Sequence, residues 1–556
     1  MTETSSYPPI EPNTFNLIVV GTGLPESVIA AAASAAGKTV LHLDPNPFYG
    51  SHFASLPLHD LPAFLNSHST PLQSSTTTTT VTIDGNDYTV VDLSRRSLYS
   101  DIEVSSYAPE ILAENSRKFN IDLGGPKVLF CADKAIDLIL KSSTNQYVEF
   151  KGIDASFVCS ENGRLSNVPD SRAAIFKDKS LSLTEKNQLM RFFKLVQQHL
   201  EASEREGSES DNARISEEDL DSPFVEFLQK MRLPPKIKSI ILYAVAMADY
   251  DQDNLEVCKD LLKTKDGINR LTLYHKSVGR FTNAPGALLY PIYGNGELSQ
   301  AFCRRAAVKG CLYVLRMPVN ALLMDKGSGQ YKGVRLASGQ DLLSHQLILD
   351  PAFTVQFPIV SSPPDFLREN LEGLSLREVK GRIARGICVT SRSLKPDISN
   401  FLVVYPPQSL YPKQNTSVRA LQLGGGLAIC PLGMFVLYFS ALCDDAKQGK
   451  NLMRAAINDL LKLPGSENAE SGSAVQGESA EVKPTLLWSA LYIQELTTGQ
   501  YEFLSSTPMP DGNLNYNDLL DATVKLFQKM YPNEEFFPET TSPESVEDDA
   551  ELSLES

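Results

Sequence analysis

The chain has 556 residues, 42% of them hydrophobic and 21% charged, enough for two or three domains around a large core and ordinary for a soluble globular protein. Its formal charge of −16 is concentrated: residues 201–221 hold nine acids against Arg205 and Arg214, and residues 539–556 hold seven acids and no base, so −14 lies in these two stretches. The rest is nearly neutral, which speaks against a nucleic-acid partner. No run of about 18 apolar residues suggests a membrane span, and the polar start does not read as a secretory signal, so a cytoplasmic protein is expected.

The first predicted element is the strand Phe15 to Val20, apolar and β-branched as a buried parallel strand is. It runs into Gly21-Thr22-Gly23-Leu24-Pro25-Glu26. A dinucleotide-binding turn reads G-x-G-x-x-G, its glycines serving a tight turn, close approach of backbone to pyrophosphate, and close packing of helix on strand. Gly21 and Gly23 fill the first two roles, and Glu26 stands in the third. Ser27 to Ala36 is a small-residue helix stopped by Gly37. A second strand, Thr39 to Leu43, ends at Asp44, near the spacing of a ribose-binding acid. A carboxylate suits a helix amino end that holds no ligand and repels a bound pyrophosphate, so the cradle is expected to be vestigial. A nucleotide-binding protein tolerating one odd residue stays open on this motif alone. The loop Asp44-Pro45-Asn46-Pro47-Phe48-Tyr49-Gly50 then presents two aromatics of the kind that anchor interfaces.

Residues 67–80, 201–221 and 465–483 are low in complexity and read as insertions between ordered elements, and 539–556 reads as a disordered acidic tail. From Ser171 to Ile268 the pattern is helical. Ser182 and Glu185 form a capping box ahead of Leu189, Phe192, Phe193, Val196 and Leu200. Ser222-Pro223 starts another helix, and Pro234-Pro235 open a third carrying Ile237, Ile240, Ile241, Ala244 and Val245. That helix is apolar around much of its circumference, so it is core or faces a lipid-like ligand. After Leu289 come strands at 386–390, 401–405, 418–423, 434–440 and 486–493. The fold expected is α/β: a flavoprotein-like βαβ domain with mixed sheets, interrupted by an all-helical domain.

Catalytic signals are absent from the sequence. Eight cysteines form no C-x-x-C pair and seven histidines show no ligand spacing, so no metal site is expected. There is no nucleophile elbow or Walker loop, and Gly424-Gly425-Gly426 opens onto an apolar segment rather than a helix, so it reads as a turn. Binding therefore gains over catalysis. In Leu289 to Arg305 an extended segment ends at Gly294 and Gly296, and Glu297, Gln300 and Arg304 follow at i, i+3 and i+7 on one helical face. A merely solvated face is the alternative.

These segments carry a family resemblance. The turn at 21–26, V-L-H-L-D-P-N-P-F-Y-G (40–50), Asn120-Ile121-Asp122-Leu123, Tyr147 to Lys151, S-R-A-A-I-F-K-D-K-S-L-S-L-T-E-K (171–186) and Y-P-I-Y-G-N-G-E-L-S-Q-A-F-C-R (290–304) together resemble, in order, the Rab escort proteins, of the superfamily shared with the Rab GDP-dissociation inhibitors, and suggest a fungal type. The block at 171–186 and the three insertions favour escort over inhibitor. The resemblance implies a fold related to flavin monooxygenases and amine oxidases, used without flavin or other cofactor. Domain I (13–170 and 276–535) would carry a Rab-binding platform, and helical domain II (171–275) would accommodate isoprenoid and meet the prenyltransferase. Tyr49, Glu297, Gln300 and Arg304 match platform positions, and Arg117 falls near another. Leu312 and Val314 depart from the inhibitors' pattern at the platform edge. Leu123 to Phe130 matches a mobile region lining the pocket for the Rab tail, with Val128, Leu129 and Phe130 as contacts. Leu189, Phe192, Phe193, Ile237 and Ile241 are the implied prenyl-binding residues. The partners implied are GDP-bound Rab GTPases, the Rab geranylgeranyltransferase heterodimer, geranylgeranyl groups on Rab and, transiently, a membrane. A recycling inhibitor, a flavin-dependent oxidoreductase and a scaffold are the rival readings.

Overall fold

The computed structural model describes residues 8–72, 79–159, 164–169, 181–204, 215–355, 379–465, 483–497 and 505–538. The motif residues 171–180, the insertion residues 73–78, 205–214 and 466–482, and the tail from 539 onward lie outside them.

The amino-terminal βαβ unit forms as expected. Strand β1 (Thr14–Val20), helix α1 (Leu24–Ala35) and strand β2 (Val40–Asp44) follow one another. β1 pairs in parallel with β2 on one side and with Asp341–Leu349 on the other, which is why its run of Leu17 to Val20 is wholly buried. This belongs to a ten-stranded mixed sheet whose path begins at Leu312–Leu315 and ends at Phe353–Val355. A second, eight-stranded sheet contains Phe401–Tyr405, Val418–Gly424, Phe435–Cys443, Val379–Thr390 and Leu486–Thr497 in that spatial neighbourhood. All five late strands expected from composition are therefore present, lengthened by a few residues where the apolar pattern fades into polar edges.

Two short strands, β3 (Ser55–Leu56) and β4 (Ile121–Asp122), pair antiparallel beneath the later site. The low-complexity reading needs correction at two edges. The threonine run ends in a strand, Thr79–Ile83, paired with Asn86–Arg95. The acidic stretch closes in a short helix, Glu217–Asp221, whose first turn is capped when the Asp219 N–H donates to Ser216 Oγ at 3.2 Å.

Between the strands Leu165–Asn167 and Leu288–Pro291 the described chain is helical. Helix α2 (Leu183–Glu204) opens with the expected capping box: the Ser182 N–H donates to Glu185 Oε2 at 2.7 Å and the Glu185 N–H to Ser182 Oγ at 3.2 Å. Helix α3 (Phe224–Lys230) follows Pro223. The helix from Pro235 lasts five residues before Ile240–Val245 widens into a π-helical turn. Helix α4 (Thr264–Ser277) crosses α3 so closely that a Cβ on Gly267 would meet the Phe224 ring. Strand β5 (Leu288–Pro291), helix α5 (Gly296–Val308), strand β6 (Leu312–Leu315) and, near the end of the described chain, helix α6 (Asn517–Met530) complete the parts used below. The polyalanine face of α1, with Ala30 to Ala33 all fully buried, lets α5 and α6 lie close against it. No described helix is long and apolar enough to cross a membrane.

Candidate partner-binding platform

The glycine turn after β1 is filled by the chain itself. Glu26 is 1% exposed, and its Oε2 lies 2.5 Å from where a Cβ on Gly23 would sit, so the carboxyl folds back over the turn. Its other oxygen accepts the Thr507 hydroxyl. Asp350 closes over Gly21, whose added Cβ would lie 2.8 Å from the Asp350 Cβ. Asp350 in turn accepts from Ser51 and sits 3.3 Å from His52. Asp44, at the ribose-acid spacing, accepts from the Thr22 N–H (2.8 Å), the Thr22 hydroxyl (2.6 Å), the Asn46 N–H (2.7 Å) and Asn46 Nδ2 (2.9 Å). Its four acceptor positions are thereby used internally.

Electrostatics follow from burial. Desolvation, then the nearby Asp350, pushes the Glu26 carboxyl far above the usual range, against the Thr507 bond. Burial also works against the Asp350 carboxylate, but His52 and Ser51 outweigh it and hold the group ionised. Burial raises Asp44 to about 6. A turn lined by three carboxyls, one folded over the second glycine, does not fit an anionic pyrophosphate. The sequence reading had Glu26 as a negative group at a helix amino end; the structure buries it completely, which favours its neutral form.

What the cradle still does is hold the loop after β2. The Gly50 N–H donates to Thr22 Oγ1 at 2.9 Å, and Asn46 is clamped by Asp44. Tyr49 emerges half-buried, edge-on to Tyr313 with ring centroids 6.0 Å apart, and Tyr313 leans on His42 at 4.8 Å. β6 pairs with β2 in the register Tyr313 opposite His42, which builds this column. Burial, then proximity to Cys303 of α5, raises the Tyr49 hydroxyl. The loop and α5 therefore meet through buried groups.

Helix α5 is set by a polar hub that sequence reasoning quoted but did not assign. Asp122, fully buried, accepts from Ser55 Oγ (2.6 Å), the Asn295 N–H (3.0 Å), Asn295 Nδ2 (2.6 Å) and the Tyr290 hydroxyl. One carboxylate thus joins β3, β4, β5 and the first turn of α5. Burial raises its pKa and these bonds oppose the rise. Gly294 has φ +105°, and a Cβ there would lie 2.8 Å from Asp122 Oδ1 and closer still to Ser55 Oγ. Only glycine fits.

On this base the expected face forms. Gln300 Nε2 donates to Glu297 Oε1 at 2.9 Å. Glu297 is half-buried, its carboxyl raised by desolvation and lowered by Arg304. Arg304 is exposed and makes no ion pair among the described residues. Around them the surface is apolar where composition gave no warning: Tyr293 is 55% exposed, Val308 65% and Leu312 40%. Val314 packs inward. Arg117 is exposed in the turn Ser116–Lys118, five residues before Asp122.

The other expected residues are not brought to this face. Val128 and Leu129 are fully buried and Phe130 2% exposed; Leu129–Phe130 pairs with β5. These three residues pack in the core, and of them Phe130 reaches the lining of a cleft of about 390 Å³. Leu189, Phe192, Ile237 and Ile241 are buried in one cluster, with Phe193 packed against it, so a lipid would have to separate these helices.

The fold is of the dinucleotide-binding type, with Glu26 folded over its turn and with an aromatic, an acid, an amide and a guanidinium presented along its rim. The chain belongs to the GDP dissociation inhibitor family, whose model matches residues 11–76 and 69–447. It is 60% identical to Rab escort protein 1 of Arabidopsis thaliana over 98% of this chain and 97% of that one. It is 28% identical to Rab proteins geranylgeranyltransferase component A of Drosophila melanogaster, over 97% and 93%. The 60% match is to a plant protein, so the fungal type is dropped. A Rab GDI from Plasmodium falciparum superposes with TM-score 0.65 at 17% identity, covering 94% of this chain and 99% of that one. An oxidoreductase from Methanosarcina mazei follows at 0.50 and 13%, covering 92% and 99%, so the flavoprotein-like fold holds.

Proposed function

We propose that this chain acts as a Rab escort protein. It binds newly made, GDP-bound Rab GTPases, presents their carboxy-terminal cysteines to Rab geranylgeranyltransferase, shields the attached prenyl groups and delivers the Rab to membranes in vesicular transport. The observation that carries this reading is the near full-length 60% identity to a protein named for that role. The platform supports it: Tyr49 packs edge-on to Tyr313 and Gln300 donates to Glu297 before any partner arrives, so binding need not order these three. Discrimination for the GDP state follows if the platform complements the switch conformation of that state, since only differential contacts separate two states.

The role is accessory, without catalysis and without flavin; the filled cradle and the absence of a catalytic constellation in the sequence support this. The site of action is the cytosol, with transient visits to membranes. Burying an attached isoprenoid gains about 0.8 kcal/mol per CH₂, enough to drive apart helices such as α2 and the segment 234–248. The test is reconstituted prenylation with purified transferase, a Rab and geranylgeranyl diphosphate, with and without this chain. Stimulation is expected. A chain that extracts prenylated Rab from membranes yet gives no stimulation is an inhibitor instead, and flavin absorbance in the purified protein returns the oxidoreductase reading.

A further inference from the structure

The triple glycine Gly424-Gly425-Gly426 opens the loop that joins the strands Val418–Gly424 and Phe435–Cys443. The chain makes one short helical turn, Gly425–Leu427, and then folds back on itself. Gly425 permits the return, because a Cβ there would lie 2.8 Å from the Pro431 carbonyl oxygen and 2.9 Å from the Leu432 Cα. The Ala428 N–H donates to the Gly425 carbonyl and the Met434 N–H to the Pro431 carbonyl, both at 3.0 Å. Leu427 and Ile429 are fully buried and Cys430 nearly so, which holds the loop from below. Its tip is bare: Leu432 is 86% exposed, more than any other large hydrophobic side chain among the described residues.

A single exposed leucine is ordinary on a protein surface. What distinguishes this one is where its loop is fastened. The Tyr293 N–H donates to the Leu427 carbonyl at 2.9 Å, three residues before α5 begins. On the other side the Asn120 N–H donates to the Ile429 carbonyl and Asn120 Nδ2 to the Ala428 carbonyl, each at 2.9 Å. Asn120 follows Arg117 by three residues, and the exposed Arg117 makes no ion pair among the described residues. The loop therefore ties the Arg117 turn to the start of α5. Tyr293 (φ +71°) and Ala428 (φ +54°), one at each side of this junction, hold left-handed backbone that side-chain-bearing residues seldom adopt. Such strain persists where the surroundings impose it, and it gathers at ligand clamps. Tyr293 adds a second half-bare apolar side chain beside the tip.

We infer that loop 425–434 is a further wall of the partner platform, with Leu432 and Tyr293 as apolar contacts for the same GDP-bound Rab that Tyr49, Glu297, Gln300 and Arg304 serve. This rests on the function proposed above. Continuity selects the occupant, since the loop is bonded on one side to the Arg117 turn and on the other to α5. The partner surface that fits is an apolar patch beside an acid, the patch covering the leucine tip and the acid meeting Arg117. Buried neighbours and Gly425 already fix the tip, so contact with it orders no loop.

The test titrates GDP-bound, unprenylated Rab into the full chain and its variants. Leu432→Ser is expected to weaken binding by about fivefold or more, with an unchanged unfolding midpoint because the side chain is exposed. Gly425→Ala, which shifts the tip without removing it, should weaken binding too. Leu255→Ser removes another exposed leucine, in the helical part, and should leave affinity as it is. If Arg304→Ala weakens binding while Leu432→Ser matches the native chain, the inference is overturned and the Rab reading stands. If the native chain does not bind GDP-bound Rab, both fall. Unchanged Rab affinity with poorer sedimentation on phosphatidylcholine–phosphatidylserine vesicles would give the tip to a membrane and overturn the inference as well.

Discussion

Replacing Glu26 by glutamine isolates the chemistry of the closed cradle. The side chain is 1% exposed, with one oxygen accepting from Thr507 and the other unpaired. Burial and Asp350 raise its pKa so far that the folded chain keeps the proton at neutral pH, whereas an unfolded glutamate releases it near 4.5. Between those limits the native state holds one proton more than the unfolded state. Stability then falls as pH rises, by about 1.4 kcal/mol per unit. Glutamine has the same shape, can accept the Thr507 hydroxyl and has no proton to lose. Asp44 titrates in both proteins and largely cancels in the comparison, and Asp350 stays ionised in both. Urea unfolding at pH 5, 6 and 7 should therefore show the variant gaining on the native chain by about 3 kcal/mol across the two units. Parallel stability curves would mean that Glu26 is ionised in the fold, and the account of a neutral acid plugging the turn would be wrong.

Three further outcomes follow from the geometry. Gly294→Ala places a methyl group against Ser55 and Asp122 at φ +105°; it should cost more than about 1 kcal/mol of stability and weaken Rab binding by misplacing α5, and full binding at unchanged stability would break the link between the hub and the platform. Tyr49→Ala, Glu297→Ala and Arg304→Ala should each weaken GDP-bound Rab by about 1 to 3 kcal/mol in a titration, and any that leaves affinity unchanged lies outside the contact. Phe192→Ala, at a fully buried site, should destabilise by about 3 to 5 kcal/mol; a loss under 1 kcal/mol would show the helical core already loose enough to admit lipid.

The βαβ unit, the late strands and the capping box of α2 were legible because each rests on local signals: apolar β-branched runs, small residues on one helix face, a serine three residues ahead of a glutamate. The face of α5 was legible for the same reason, since i, i+3 and i+7 fix a shared side. Asp122 was quoted within a motif but its role was not, because its four donors come from segments up to 173 residues away. Burial of Val128 to Phe130 escaped notice for a like cause: an apolar run looks the same whether it lines a pocket or pairs with a strand such as β5. The charge state of Glu26 depends on Asp350 and Thr507, which the turn itself cannot announce.

The turn's hold on the loop after β2 can be tested through Asp44. In a nucleotide protein this acid would face a ribose; here its four acceptor positions hold Thr22 and Asn46, and Thr22 in turn holds Gly50, so the loop bearing Tyr49 is fixed at both ends. Asn at position 44 keeps one acceptor oxygen and turns an amide toward the remaining donors, so two of the four bonds are lost and a like-polarity contact replaces them. The loop should loosen while Glu297, Gln300 and Arg304, anchored through Asp122, stay in place. Asp44→Asn should then speed amide exchange at 45–50, leave it unchanged in α5, and weaken GDP-bound Rab by about tenfold, comparable to removing Tyr49 itself. If exchange in the loop does not change, the carboxylate is not what positions Tyr49. If exchange rises while affinity holds, Tyr49 is ordered by its partner and the platform is not preorganised on that side.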